Sequence, residues 1–271
     1  MYPLAVGRLE RISSKNNHHL PGPGNGRDWY RMGSHGDGSC FFHSLAAGLN
    51  YKQFHEHSPN AQVAIGRNLR REMQRSITDE AWGAFWDSHG LINDVPTASE
   101  ARFQLGDYKV WANLYVIIWT MITLKANCIF YDFSDKGNPY CGVTADAKFR
   151  KTKSPRGEQS KLPDLHWCVI LIAWIGRSHF EPMCLVRDVT EADDIIEIQK
   201  SRDKDIVFKF CGSKATDLLN VYEKSGCKNV KLQEIAKSNS GNAIRSGTKV
   251  NTRYQVPGTS RADAVLSKME G

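Results

Sequence analysis

The residues best suited to chemistry in this sequence surround Cys40, which follows a glycine-rich turn in GSHGDGSCFFHSLAAGLN (33–50). Asp37 stands three positions earlier, where it can be the N-cap of a helix with Cys40 as its third residue. The positive end of a helix lowers the pKa of a nearby thiol and so favours the nucleophilic thiolate. Gly36 and Gly38 allow the chain to bend there. The sequence therefore predicts a cysteine nucleophile, with the backbone amides of Asp37, Gly38 and Cys40 as donors to an oxyanion.

A thiol nucleophile requires a base, and a histidine far away in sequence is the usual partner. In papain-type enzymes this histidine follows the cysteine by roughly 130–150 residues. His179, in GRSHFEPM, follows Cys40 by 139 residues and comes shortly after an apolar run. Glu181 lies two residues further on the same face of a strand, where its carboxylate could orient the imidazole. His43 lies one helical turn after Cys40, and we expect it to make a packing or polar contact.

In isolation, Cys40 would more often be a buried core thiol, but its surroundings favour catalysis. The stretch GDGSCFFHSL, together with the later SHFEPM, resembles the ovarian tumour (OTU) cysteine proteases, which are deubiquitinases. Their nucleophile motif is Asp-Gly-x-Cys before two aromatic or large apolar residues, and their catalytic histidine precedes Phe or Tyr near the domain end. The positions that fit are Asp37, Gly38, Cys40, Phe41, Phe42, His179 and Phe180.

The resemblance spans roughly residues 29–187, and the compact spacing of its elements is most similar to viral OTU proteases. It departs from the family at the third triad position, which in many members is Asp or Asn two residues after the histidine. Glu181 stands there in this chain. Asp37 is the alternative orienting residue, since an acidic residue in that loop has the role in some members.

The resemblance implies an α/β (α+β) papain-like fold in which helices surround a small, mostly antiparallel central sheet. It implies hydrolysis of the isopeptide bond at the C-terminus of ubiquitin, polyubiquitin or a ubiquitin-like modifier. Cys40 would attack the carbonyl carbon to form a thioester, and His179 would protonate the leaving amine and then activate water. The reaction requires no metal and no cofactor.

Three other functions stay open. A papain-like protease that cleaves a polyprotein would use the same catalytic group. An inactive OTU fold that only binds ubiquitin would not need Cys40 and His179 intact. The third is nucleic-acid binding. It is suggested by the net charge of +7, the pI of about 9.0 and the basic runs at 148–161 and from Lys237 onward. Such runs are more often solvated loops and tails, and neither contains interleaved aromatic residues, so we do not expect a nucleic-acid partner.

Cysteine usage and hydropathy predict a cytoplasmic location. Its seven cysteines are an odd number at wide spacing with no C-x-x-C pair, which favours reduced thiols over a disulfide framework or a zinc site. The N-terminal stretch has no sustained apolar core, so we expect no signal peptide. The most apolar stretch, residues 110–124, is too short to span a bilayer, and we expect no membrane partner.

Hydrophobic spacing predicts the elements that must position these residues. Besides the helix after Cys40, we expect helices at 58–77, 78–92 and 110–125 and strands at 127–133, 166–174 and 176–186. Ser58 is the predicted N-cap of the second helix, whose arginines lie mostly off its apolar stripe. Four segments follow: a flexible start (1–28), an OTU-like protease domain (29–187), a charged extension that can hold a strand and a helix (188–236), and a flexible basic tail (237–271).

Overall fold

A computed structural model shows the protein as a mixed sheet with helices on both of its faces. The structure describes residues 2–13, 20–24, 26–49, 51–88, 95–124, 126–133, 140–143, 168–175, 179–187, 195–197 and 206–224. The basic run at 148–161 and the predicted tail at 237–271 lie outside these ranges.

Nine strands in the described ranges form one sheet. Their bounds are β1 Arg8–Arg11, β2 Arg27–Met32, β3 Asn127–Asp132, β4 Tyr140–Val143, β5 Cys168–Ile175, β6 His179–Arg187, β7 Ile195–Glu197, β8 Ile206–Val207 and β9 Lys209–Cys211. The main order is β4-β3-β5-β6-β2-β1-β7, with β8 paired to β6 and β9 to β5. The pair β3–β5 is parallel and the other described pairs are antiparallel.

Seven helices accompany the sheet in the described ranges. Their bounds are α1 Cys40–Leu49, α2 Tyr51–Glu56, α3 Pro59–Ser76, α4 Asp79–Ser88, α5 Ala98–Gly106, α6 Leu114–Thr123 and α7 Ser213–Lys224. Alternate residues of β5 belong to two hydrophobic cores: Ile170 and Ile172 pack with residues of α1 and α3–α6, and Val169 and Leu171 with residues of α7. Burial on both faces explains why the β5 sequence is continuously apolar.

The α/β class and the mostly antiparallel sheet are confirmed, but the sheet is larger than predicted. Part of the predicted flexible start (1–28) is instead a strand, because Arg8–Arg11 pairs with β2 as strand β1. The charged residues of this strand concealed it, since only Leu9 is buried, while Arg8 is exposed and Glu10 and Arg11 are partly exposed. Strands β7, β8 and β9 and helix α7 also add to the sheet region from the predicted extension. The division into four segments stays a prediction.

The predicted helix boundaries agree closely with the structure where capping residues are present. The Ser58 hydroxyl accepts a hydrogen bond from Ala61 N (3.4 Å), which confirms it as the N-cap of α3. Helix α5 was not predicted, although Thr97 and Glu100 form a reciprocal capping box at its start. The spacing of this threonine and glutamate is a sequence signal that would have located the helix.

The prediction that all cysteines are reduced is wrong for one pair. Cys168 and Cys211 face each other across β5 and β9, and their sulfur atoms form a disulfide. Their 43-residue separation left no local pattern to reveal the pairing. Cys40 and Cys184 are free and buried. The cytoplasmic location stays a prediction, and none of the described helices combines the length and the apolar character needed to cross a bilayer.

Candidate active site

Cys40 is the first residue of α1 rather than the third, as the sequence had predicted. The turn before the helix is closed by Cys40 N, which donates to Asp37 O (3.1 Å), and by Ser39 N, which donates to Asp37 Oδ1 (3.0 Å). Asp37 therefore caps a turn that precedes the helix. Helix α1 is buried along its whole length and packs against β6 and α3, so the thiol has a fixed position.

The environment of the Cys40 sulfur keeps it protonated in the resting protein. Only 3% of the residue is exposed, and burial raises the pKa of the thiol above its usual value. Hydrogen bonds from the backbone of Phe180 and Phe41 oppose this effect, and the Asp37 charge adds to it. The predicted lowering of the thiol pKa is therefore wrong, because desolvation of the buried sulfur outweighs the backbone hydrogen bonds that favour the thiolate.

His179 is the first residue of β6 and lies in the same cleft as Cys40. The cleft has a volume of about 350 Å³ and is lined by Pro3, Leu4, Ala5, Val6, Ser34, Gly36, Asp37, Cys40, Trp111 and His179. Burial lowers the pKa of His179, and the charges of Arg31 and His43 lower it further. The cleft thus holds a neutral thiol and a neutral imidazole. Trp111, which is 50% exposed, was not singled out from the sequence.

Two side chains approach the Nε2 atom of His179. The Ser34 hydroxyl oxygen is 3.3 Å away, and the nearer Glu181 carboxylate oxygen, Oε1, is 3.8 Å away. The same Ser34 hydroxyl donates to the Phe180 carbonyl oxygen at 2.5 Å. Ser34 lies 145 positions before His179, and no pattern in the sequence pointed to it.

Glu181 is fully buried, and its two oxygens already have other partners. Oε2 accepts from Arg31 Nη1 (2.5 Å), and Oε1 accepts from the backbone N–H of Leu4 (2.6 Å). Arg31 is itself buried, and it also pairs with Glu10 Oε2. Burial raises the pKa of Glu181, against the effect of Arg31 and the Leu4 hydrogen bond. We call Ser34, His179, Glu181 and Arg31 the strand-start cluster.

Asp37 faces a different histidine. Its Oδ1 accepts from His43 Nε2 at 2.9 Å, and its Oδ2 accepts from Arg67 at 3.0 and 3.1 Å. Burial opposes the ionisation of Asp37. The hydrogen bond and charge of His43, together with hydrogen bonds from Ser39 and Arg67, nevertheless bring the pKa of Asp37 down to about 2. We call Asp37, His43 and Arg67 the helix-start cluster. The expected polar contact of His43 is confirmed, and the structure shows no hydrogen bond between Asp37 and His179 among the described contacts.

The loop before Cys40 is held by Arg70, a residue of α3 whose role the sequence did not reveal. Arg70 lies off the apolar stripe of its helix, yet it is 0% exposed. Its guanidinium donates to five backbone carbonyl oxygens and one hydroxyl, those of Gly38, Leu105, Gln104, Asp107, Val110 and Ser39. Desolvation lowers the pKa of Arg70. These bonds join the nucleophile loop to the segment that follows α5.

Gly38 is required in this loop because of close packing. A Cβ atom there would lie 2.2 Å from the carbonyl oxygen of Tyr108, whereas one at Gly36 would meet open space. Gly38 is therefore required for close packing, whereas neither Gly36 nor Gly38 has the positive φ that a bend special to glycine would show. Of the three predicted oxyanion donors, the Cys40 amide already donates to Asp37 O, so the amides of Asp37 and Gly38 stay the stronger predictions.

The described site is equipped for nucleophilic chemistry by a thiol. It combines Cys40, a histidine that is neutral at physiological pH, and a rigid loop of backbone amides. In the described ranges, no group of three or more His, Cys, Asp or Glu side chains is arranged to hold a metal ion.

Comparisons with known proteins give similarity in structure only. No protein-family model matches the chain, and no curated protein matches it. The OTU domain of OTUD1 is 14% identical with a TM-score of 0.37, over 57% of this chain and 85% of that one. An OTU domain solved in complex with ubiquitin is 14% identical with a TM-score of 0.42, over 86% and 99%. The viral OTU domain protease from Taggert virus is 16% identical with a TM-score of 0.32, over 59% and 88%.

These three structures are OTU domains, the family that the cysteine and histidine motifs resemble. Identities this low concern the fold alone, and TM-scores of this size carry no argument about activity or substrate. The function is therefore argued from the residues and geometry of the site.

Proposed function

We propose that the protein is a cysteine-type deubiquitinase that hydrolyses the bond at the C-terminus of ubiquitin or a ubiquitin-like modifier. One observation carries the proposal: Cys40, at the start of a buried helix, and His179, at the start of β6, line the same cleft. The backbone of Phe180, the residue after His179, hydrogen-bonds the Cys40 sulfur, which ties the two motifs together.

The resting protonation states define the first step. Because burial raises the pKa of Cys40 and lowers that of His179, the pair rests as thiol and imidazole. When the carbonyl carbon of the substrate approaches, the thiol proton passes to His179 and the sulfur attacks. The tetrahedral oxyanion is stabilised by the amides of the loop that Arg70 holds in place.

The remaining steps complete hydrolysis without an external co-reactant. The imidazolium of His179 protonates the lysine amine of the leaving group, the C–N bond breaks, and a thioester on Cys40 is left. His179 then takes a proton from water, which attacks the thioester and releases the carboxylate and the Cys40 thiol.

The choice of ubiquitin over another substrate rests on the motif resemblance and on the shape of the cleft. The cleft is bordered by residues 3–6 and by Trp111, which is half exposed. A cleft of about 350 Å³ that holds the thiol and the imidazole suits a substrate tail with small side chains beside the scissile bond. A polyprotein peptidase would also need small side chains beside the scissile bond, but in a substrate unrelated to ubiquitin. The experiment must therefore distinguish these two substrates.

A fluorogenic substrate with its reporter on the ubiquitin C-terminus tests the proposal. We expect steady turnover by the native protein and none by Cys40→Ala. Cys184→Ala is the matched control, because Cys184 is also free and buried but lies in β6 outside the cleft; its activity should stay close to native. Turnover by Cys40→Ala would refute the proposal. Cleavage of unrelated peptides with no turnover of ubiquitin would replace the deubiquitinase with a polyprotein peptidase.

A further inference from the structure

The Ser34 hydroxyl has a single hydrogen. The direction in which it points determines which ring nitrogen of the neutral His179 carries a hydrogen. The Ser34 Oγ–Phe180 O distance of 2.5 Å requires that hydrogen, because a carbonyl oxygen can only accept. Towards His179 Nε2, at 3.3 Å, the hydroxyl therefore presents a lone pair. The imidazole must then donate, so its hydrogen lies on Nε2 and its Nδ1 keeps a free lone pair.

Neither carboxylate that the sequence suggested makes this contact. Glu181 Oε1 is 3.8 Å from His179 Nε2 and accepts the Leu4 amide, and its Oε2 accepts Arg31. Asp37 is bound by His43 and Arg67 on its two oxygens. Both acids are therefore committed to other donors.

We infer that Ser34 is the positioning residue that holds His179 in its Nε2–H form and leaves Nδ1 as the base toward Cys40. Glu181 acts one step further away, by fixing Arg31 and the Leu4 backbone that borders the cleft. The catalytic part of this inference rests on the proposed function, whereas the tautomer and the reactivity of Cys40 do not depend on any substrate.

The chain contains a matched control for this role. The Ser44 hydroxyl also donates to the Phe180 carbonyl oxygen, at 2.8 Å, and is also buried. The described contacts of Ser44 do not include His179. Ser34→Ala and Ser44→Ala therefore each remove one bond to Phe180, but only Ser34→Ala removes the acceptor on His179.

The test combines the ¹⁵N shifts of His179 with the rate at which iodoacetamide alkylates Cys40 between pH 5.5 and 8. The native protein should show His179 with its hydrogen on Nε2. In Ser34→Ala we expect a mixture of tautomers and about a tenfold slower alkylation of Cys40 near neutral pH, from the loss of one hydrogen bond. Ser34→Thr keeps the hydroxyl and should restore native values, and Ser44→Ala should differ by about twofold at most.

Three results would overturn the inference: a native His179 with its hydrogen on Nδ1, a Ser34→Ala protein with native tautomer and alkylation, or an equal effect of Ser44→Ala. If Ser34→Ala does not fold, the native spectrum still decides the tautomer, and native values in Ser34→Thr would still be required. Since neither readout involves ubiquitin, absence of ubiquitin turnover in the native protein would refute the proposed function and leave this inference standing.

Discussion

Two arrangements of the same residue types lie near Cys40, and they differ in how the acid meets the histidine. In the helix-start cluster, the Asp37 carboxylate is 2.9 Å from the His43 ring nitrogen. In the strand-start cluster, the Glu181 carboxylate stops 3.8 Å from His179. Each acid also binds an arginine, Arg67 or Arg31.

The difference shows that a close acid–histidine pair does not by itself identify the catalytic base. His43 is 1% exposed, and a Cβ at Gly66 would lie 2.1 Å from its Nδ1, so this ring is fixed by packing. His179 lines the cleft with Cys40, and it contacts a hydroxyl instead of a paired carboxylate. We therefore propose that the helix-start cluster has a structural role and that His179 of the strand-start cluster transfers the proton.

Removing each histidine gives the largest expected contrast. His179→Ala should lower kcat/KM for a ubiquitin substrate by about 10²- to 10⁴-fold, the usual contribution of a general acid–base group. His43→Gln should lower thermal stability but keep kcat/KM, per folded molecule, within about tenfold of native. Melting curves for both variants separate loss of fold from loss of chemistry. If His43→Gln were the inactive and well-folded variant, the roles of the two clusters would be reversed.

Acid should weaken the fold through a histidine next to the helix-start cluster. His55 lines a small cavity with His35 and His43, and burial lowers its pKa to about 4. Between pH 6.5 and 4, His55 is protonated in the unfolded chain but stays neutral in the folded protein. The stability that its neutral form provides is therefore fully present above pH 6.5 and is lost as pH falls towards 4. The unfolding free energy should fall by about 3 kcal/mol over this range.

Chemical denaturation of His55→Asn and native protein at several pH values measures this contribution. The variant should have a flatter pH dependence between pH 6.5 and 4. His57→Asn, which changes an exposed histidine two residues away, should keep the native slope. Equal slopes in native protein and His55→Asn would show that the burial of His55 does not control acid stability.

Neutralising the two acids should affect stability more than chemistry. Glu181→Gln leaves Arg31 with less compensation in a buried site, and Asp37→Asn loses the charge that His43 and Arg67 stabilise. Each change should cost about 2 kcal/mol of unfolding free energy, the usual contribution of a hydrogen bond between charged groups. Turnover per folded molecule should stay within about tenfold. A folded Glu181→Gln protein as inactive as His179→Ala would show that Glu181 orients the base directly.

The pH profile of turnover gives the smallest expected effect. Burial, Arg31 and His43 lower the pKa of His179 below 6.5, so its basic form persists into mildly acidic solution. Activity should fall on the acid side as His179 is protonated, with the midpoint of kcat/KM below pH 6.5. An acid midpoint above 6.5 would indicate a different base or a stronger acidic partner.

Local patterns predicted much of this fold and singled out Cys40 and His179, which the structure brings to one cleft. A capping serine and the spacing of apolar residues are signals within a few residues of each other. The interval between Cys40 and His179 is long, but it matches the one known for papain-type enzymes. Contacts between distant segments were not predictable, such as Ser34 with His179 or Cys168 with Cys211. Arg70 shows the same limit, because its burial depends on carbonyl oxygens from segments far along the chain.

The most direct test of the central claim is the site at which a ubiquitin with a thiol-reactive C-terminus becomes attached. Mass spectrometry of the digested adduct should locate one ubiquitin remnant on Cys40. His179→Ala should label far more slowly, and His43→Gln at a rate close to native. A remnant on Cys128 or Cys184, or equally rapid labelling in His179→Ala, would contradict the assignment of Cys40 and His179 as the reacting pair.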